Sequence, residues 1–235
     1  ARSMASLQHP SICPIHEVMI DTDVPFLVMQ WVDGIEFQHG IRGLELKEKL
    51  AVLCKLSSAV DVMHLHNVIH GDIKPSNILI DRNGNPILVD FGLAHGTYET
   101  RETSYGGTPG YSAPEQFIPK SLVGPPADVY ALGVLLYMIL CDRTPFTATS
   151  ASSIIEQVRN NDPPLPQEIN PQVSAGLQAI CLKSLERDPE LRYQTAGEML
   201  ADVERSLSGE TVVARPSQLT GRFLSQVDQQ VEEIK

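Results

Sequence analysis

Apolar residues recur at three- and four-residue steps from Leu46 through Leu50, Leu53, Leu56, Val60 and Met63. That spacing predicts an α-helix with one buried stripe. Residues 128–139 are apolar nearly all round, which predicts a helix buried on every side. Further helices are predicted over 153–158, 173–185 and 195–207, separated by proline-rich links such as Pro163-Pro164-Leu165-Pro166. Thr195 followed three residues later by Glu198 has capping-box spacing, and Gly209 marks that helix's end. Ile78-Leu79-Ile80 and Ile87-Leu88-Val89 flank Asn83-Gly84 and predict a hairpin with a slightly long loop. Phe26-Leu27-Val28-Met29-Gln30, bounded by Pro25 and Asp33-Gly34, predicts a buried strand ending in a turn. Residues 92–127 are rich in Gly, Thr, Ser and Pro with little periodicity. So long an irregular stretch in a compact domain is usually functional.

Composition narrows the class without naming it. The chain has 235 residues, 42% of them hydrophobic and 20% charged, so there is ample apolar material for a core. Disordered, collagen-like and low-complexity readings are excluded. The longest apolar run, Val129 to Cys141, sits between Asp128 and Asp142 and is too short to cross a bilayer. The net charge of −11 would repel a phosphate backbone, so nucleic acid is not an expected partner. Cys13, Cys54, Cys141 and Cys181 stand singly with no CxxC pair and read as reduced core residues, which points to a cytoplasmic setting, either as a free protein or as part of a longer one.

The chemistry concentrates in His70-Gly71-Asp72-Ile73-Lys74-Pro75-Ser76-Asn77, which follows the long helix and precedes the hairpin. Asp90-Phe91-Gly92 comes at the end of the second hairpin strand, and Gly107-Thr108-Pro109-Gly110-Tyr111-Ser112-Ala113-Pro114-Glu115 closes the irregular stretch. Singly, each piece is weak, since a loop aspartate is usually a turn or cap residue. Their order, spacing and strand-turn-strand frame are together far more specific. In this order they resemble the HRDLxxxN, DFG and APE signature of the protein kinase family, in its serine/threonine wording and closest to bacterial members. The resemblance runs from about Leu7 to Leu207. It implies an α+β, protein-kinase-like fold, mainly the helical C-terminal lobe with a short β-hairpin catalytic region.

The resemblance also implies roles. Phosphoryl transfer passes through a loose transition state, so positioning and charge neutralisation carry catalysis. Asp72 would accept the proton of the attacking hydroxyl, and Lys74 would place an ammonium near the transferring phosphate. Asn77 and Asp90 would hold Mg²⁺, which favours hard oxygen ligands completed by substrate phosphates. ATP would lie against the strand at residues 26–30 and the residues just after it. Met29 is the gatekeeper there, the Gln30 and Val32 backbone meets adenine, Glu36 holds the ribose and Leu79 floors the base. Trp31 faces away. Thr108 is expected beside Asp72 and Lys74, and Glu115 paired with Arg192. Asp128 is expected to hold the catalytic loop through its backbone, and His70 to pack beneath the Asp90 turn. His64-x-His66 has metal-ligand residue types, but in this frame it lies at a helix end. The implied partners are ATP and a protein carrying Ser or Thr.

Two departures from the family pattern stand out. Gly71 replaces the signature's arginine, so phosphates at Thr97, Thr100, Thr103 or Ser104 would find one fewer cation, and switching by such phosphates is expected to be weak. No glycine-rich loop or V-A-I-K lysine precedes residues 26–30, and the chain begins on Ala1. The expectation is a partial kinase domain at 1–207, with hinge and helical lobe, cut from a longer chain, inactive alone and exposing an apolar edge. Residues 208–235 would then be a linker or tail. A pseudokinase scaffold and a small-molecule phosphotransferase of similar fold stay open as alternatives.

Overall fold

A computed structural model describes residues 7–19, 26–90, 95–96, 99–100 and 107–217, the pairs 95–96 and 99–100 as backbone. The chain opens with a ribbon of β1 (Ile15–Met19) and β2 (Phe26–Met29), followed by β3 (Gly34–Glu36) and the single-turn helix α1 (Phe37–Gly40). The long helix α2 (Leu46–Leu65) leads into β4 (Val68–Ile69) and the segment from His70 to Asn77. That segment ends in a 3₁₀ turn, Pro75–Asn77, before β5 (Ile78–Asp81) and β6 (Pro86–Leu88). β7 (His95–Gly96), β8 (Glu99–Thr100), a 3₁₀ turn at Pro114–Phe117 and β9 (Leu122–Val123) precede the helices. These are α3 (Pro125–Cys141), α4 (Ala151–Asn160), the short α5 (Pro166–Ile169), α6 (Ala175–Ser184) and α7 (Ala196–Leu207).

The core forms around α3. Every residue from Pro126 to Cys141 is buried, because α2, α5, α6 and α7 all pack against it. Gly133 lets α6 approach closely: a Cβ there would stand 2.6 Å from the Ser184 Cβ. The α2 stripe is buried at Leu50, Leu53, Leu56, Val60 and Met63, while Leu46 at the helix start stays exposed. Ser150 and Ser174 cap α4 and α6, their hydroxyls accepting from the Ser153 and Leu177 N–H groups. These caps satisfy donors that no helical carbonyl can reach. At α7 the capping box forms only in half. Thr195 Oγ1 accepts the Glu198 N–H at 3.1 Å, but the Glu198 carboxylate reaches past the cap to the Gln194 N–H at 2.8 Å.

The expected hairpin is present, with Ile78 opposite Leu88 and Leu79 opposite Ile87. β3 adds to its other side and places Glu36 opposite Leu79. The segment at residues 26–30 differs from its prediction. It is a strand, but Phe26 is 51% exposed and Leu27, Val28 and Met29 are exposed with it. An apolar run is buried only where something covers it. β2 pairs with β1 alone among the described residues. An apolar edge is therefore exposed, and Trp31 faces outward at 87% exposure.

Past α7 the described residues stay packed as far as Ser217. Asp202 accepts the Val213 and Ala214 N–H groups, and Glu186 accepts both the N–H and the hydroxyl of Ser217. The four cysteines are free, with Cys13, Cys141 and Cys181 buried and Cys54 partly so. Among the described residues no helix is long and apolar enough to cross a membrane.

Arg192 locks the start of α3 to the turn at 114–117. All five of its N–H donors are used: two on the Glu115 carboxylate at 2.7 and 2.8 Å, the others on the carbonyls of Glu186, Pro126 and Arg187. Its guanidinium also lies over the Tyr130 ring. Lysine offers three donors in a different shape, so it cannot reproduce the fork. Arg192→Ala should cost about 3–5 kcal/mol by stranding a buried carboxylate, and lower the thermal midpoint by roughly 10 °C. Differential scanning calorimetry measures this, and a fall below about 2 °C would contradict the assignment.

Candidate active site

The segment at residues 70–74 has no regular structure, so its backbone groups need partners from elsewhere. Asp128, in the first turn of α3, supplies them. Its Oδ2 accepts the His70 N–H at 2.9 Å and its Oδ1 the Gly71 N–H at 2.8 Å. His64 Nε2, at the end of α2, lies 3.0 Å from the same Oδ2. Burial pushes the Asp128 carboxyl upward, but the hydrogen bonds from His64 and the Gly71 N–H outweigh it and hold the group below the usual carboxylate value. Gly71 has φ +75°, a conformation that glycine adopts at least cost.

His70 is fully buried and bridges the segment at Asp72 to the one that ends at Asp90. Its Nδ1 accepts the Asp72 N–H at 3.3 Å, and Nε2 lies 3.4 Å from the Val89 carbonyl, which makes Nε2 the protonated nitrogen. Burial lowers its pKa, although Asp128, the Val89 carbonyl, Asp72 and Asp90 all pull it upward. Desolvation wins, so the ring stays neutral.

Asp72 is the convergence point. Lys74 Nζ sits 2.6 Å from Oδ2, Thr108 Oγ1 donates to Oδ1 at 3.0 Å, and Lys74 also donates to Thr108 Oγ1 at 2.7 Å. Asn77 Nδ2 donates to the Asp72 carbonyl at 2.9 Å and to Oδ2 at 3.2 Å. The Asn77 carbonyl accepts the Val89 N–H at 2.9 Å, which sets Asn77 beside Asp90, the next residue along. Asp90 is exposed and adopts φ +61°. Phe91 and Gly92 lie outside the described residues, as do Thr97, Thr103 and Ser104. Only the backbone of Thr100 is described.

The donor set at Asn77 and Asp90 suits Mg²⁺. With Nδ2 committed to Asp72, the amide oxygen of Asn77 is the acceptor left to offer, and the Asp90 carboxylate adds a second hard oxygen. Among the described residues no group of three or more His, Cys, Asp or Glu side chains forms a metal cage. The histidines serve separately: His64 on Asp128, His66 on the Val62 carbonyl and His70 on the loop.

The expected nucleotide residues lie on the link between β2 and β3, on β3 itself and on the neighbouring β5. Gln30 is exposed, its N–H bonded to the Pro14 carbonyl at 2.9 Å and its own carbonyl contacted by the Cys13 thiol at 3.3 Å. Val32 and Leu79 are half-buried, and Glu36 ends β3 at the entry to α1. Glu36 lies near enough to Tyr111 to add its charge to burial in raising that phenol's pKa. A groove of about 750 Å³ bordered by Pro114, Ile118, Arg159 and Arg187 lies elsewhere and holds none of these side chains.

The protein kinase domain profile matches residues 1–203. The chain belongs to the protein kinase family. It is 34% identical over 226 residues to a probable serine/threonine-protein kinase of Streptomyces coelicolor, covering 91% of this chain and 33% of that protein. It is 34% identical over 237 residues to the serine/threonine-protein kinase PrkC of Bacillus subtilis, covering 98% of this chain and 36% of PrkC. Identity to PknB of Mycobacterium tuberculosis is 35% over 222 residues, 89% of this chain and 35% of PknB. The chain thus spans about a third of the length of the curated relatives it matches. In this kinase domain, Thr108 beside Asp72, Glu115 on Arg192 and Asp128 under the loop all fall where the resemblance put them. Two residues carry more than their sequence suggested. His64 braces Asp128 across 64 positions, and Gln116 reaches the Gly71 carbonyl across 45. Contacts at such separations leave no periodic trace in the sequence.

The neutral His70 ring gives a pH signature. Its folded pKa lies below the ordinary histidine value of 6.5, so its stabilising contribution is complete above about 6.5 and declines as pH falls through that value. The thermal midpoint should drop more steeply between pH 7.5 and 5.5 in the wild type than in His70→Gln. Equal slopes would show that the ring does not couple to folding.

Proposed function

We propose that this domain transfers the γ-phosphate of ATP to a Ser or Thr hydroxyl of a protein. The observation that carries the reading is Asp72, whose carboxylate is held at once by Lys74, Asn77 and Thr108 at the end of a loop pinned to the core. The serine/threonine kinase names of the relatives support the acceptor class.

In this reading the substrate hydroxyl takes the place of the Thr108 hydroxyl or lies beside it on Asp72. The acceptor oxygen forms its bond to the γ-phosphorus as the bond to the β,γ-bridging oxygen breaks, ADP departs, and the hydroxyl proton passes to the Asp72 carboxylate. The Lys74 ammonium, already within reach of Asp72, stabilises the charge on the transferring group. Asn77 and Asp90 would hold Mg²⁺, which when bound supplies charge neutralisation to the phosphates. The backbone of Gln30 and Val32 would meet adenine, Glu36 the ribose and Leu79 the base. A site for the Gln30 carbonyl in adenine binding fits its second lone pair, since the Cys13 thiol occupies one side. Four free cysteines suit a reducing, ATP-containing cytoplasm.

The test is transfer of labelled phosphate from Mg-ATP to dephosphorylated casein by the complete protein. Asp72→Asn keeps the side chain's shape but removes the proton acceptor. It should lower kcat by about 10³-fold while ATP affinity, measured by calorimetry, changes less than about threefold. An undiminished rate in Asp72→Asn would remove Asp72 from the mechanism. ATP binding with no transfer by the wild type would return the scaffold reading.

A further inference from the structure

Gln116 is buried in the turn Pro114–Phe117, and its side chain bridges two backbone groups. Oε1 accepts the Ala113 N–H at 2.9 Å, and Nε2 donates to the Gly71 carbonyl at 2.8 Å. An N–H can only donate and a carbonyl can only accept, so the two partners fix which way the amide points. The same two partners define the chemistry the site demands. A carboxylate has no donor for Gly71, and a hydrocarbon satisfies neither group.

The Gly71 carbonyl belongs to the peptide unit that carries the Asp72 N–H. Gly71 is thereby held on both sides: its N–H by Asp128 Oδ1 and its carbonyl by Gln116 Nε2. That matters most at a glycine with φ +75°, where no side chain restrains the backbone. The anchor itself is fixed, because the preceding residue, Glu115, is locked to Arg192. Thr108 ties the same segment to Asp72 by a second, partly exposed bond.

We propose that Gln116 is a positioning residue for phosphate transfer: through the Gly71 carbonyl it sets the peptide plane that aims Asp72 at the acceptor hydroxyl. The inference rests on Asp72 being the proton acceptor. A reacting group displaced by about 1 Å can lose roughly 10²-fold in rate without losing substrate binding. The loss therefore belongs in kcat and not in the KM for ATP.

The experiment compares the complete wild-type protein with Gln116→Glu, Gln116→Met and Asp72→Asn, assaying casein phosphorylation from pH 6 to 8.5. Gln116→Glu keeps the acceptor for Ala113 and loses the donor for Gly71. At pH 8 its kcat should be about 30-fold below wild type, with KM for ATP within about twofold. Towards pH 6 a protonated carboxyl regains a donor, so the ratio of Gln116→Glu to wild type should rise severalfold. Gln116→Met should show a loss with no such recovery. His70, Asp72, Lys74, Glu115, Asp128 and Arg192 surround the site in every variant and cancel in the ratio. Wild-type kcat in Gln116→Glu overturns the proposal, as does an equal loss in both variants at every pH, the mark of a packing defect. If Gln116→Met does not fold, the pH ratio of Gln116→Glu decides alone. A wild type that transfers no phosphate fails at the earlier step, overturning the reading of Asp72 and this proposal with it.

Discussion

The Asp128 carboxylate takes up two backbone N–H groups from a loop that has no ladder or helix of its own to satisfy them. Left without acceptors in a buried place, such groups cost about 1–3 kcal/mol each, and the loop would settle elsewhere. The carboxylate can do this because it stands on α3, which neighbours enclose along nearly its whole length and which therefore cannot shift. Rigidity passes from the apolar core to one carboxylate, from there to the Gly71 backbone, and from Gly71 to Asp72. Gln116 and Arg192 extend the same logic across the turn at 114–117, so that turn and the loop at 70–74 share one anchorage.

Charge is balanced within that frame. Asp72, Asp90 and Asp128 all act on the buried His70 ring and favour its cationic form, yet desolvation prevails. A neutral ring with one donor and one acceptor can bridge Val89 to Asp72, whereas a cation would have a donor facing the Asp72 N–H. Lys74 and Thr108 satisfy the Asp72 carboxylate from the open side. Asp90 is exposed beside Asn77, and in the proposed reading the two would share a cation with substrate phosphates.

Much of this was legible in the residues. Helical spacing gave α2 its buried stripe, the all-round apolar run of α3 marked the centre of the core, and Asn83-Gly84 marked the hairpin. The family wording placed Asp72, Lys74, Asn77, Thr108 and Asp128 together. What failed failed for physical reasons. The strand at 26–30 has the composition of a buried strand, but burial is a property of what covers it, and β2 has only β1 as a partner among the described residues. Glu198 sits at capping-box spacing and chose the N–H one residue earlier, since a flexible side chain has two donors within reach. His64 and Gln116 act on groups brought near only by the fold, through hydrogen bonds that no local pattern encodes.

Asp128 holds the backbone of the loop that carries Asp72, and in the proposed function that hold presents Asp72 for chemistry. The measurement that tests it most directly is single-turnover phosphate transfer by Asp128→Asn in the complete protein, with amide hydrogen exchange followed in parallel. The isosteric amide keeps one acceptor and turns a donor toward the second N–H. Transfer should be at least about 100-fold slower, with faster exchange at residues 70–74 and unchanged exchange in α2 and α3. Transfer within about threefold of wild type, with the loop still protected, would contradict it.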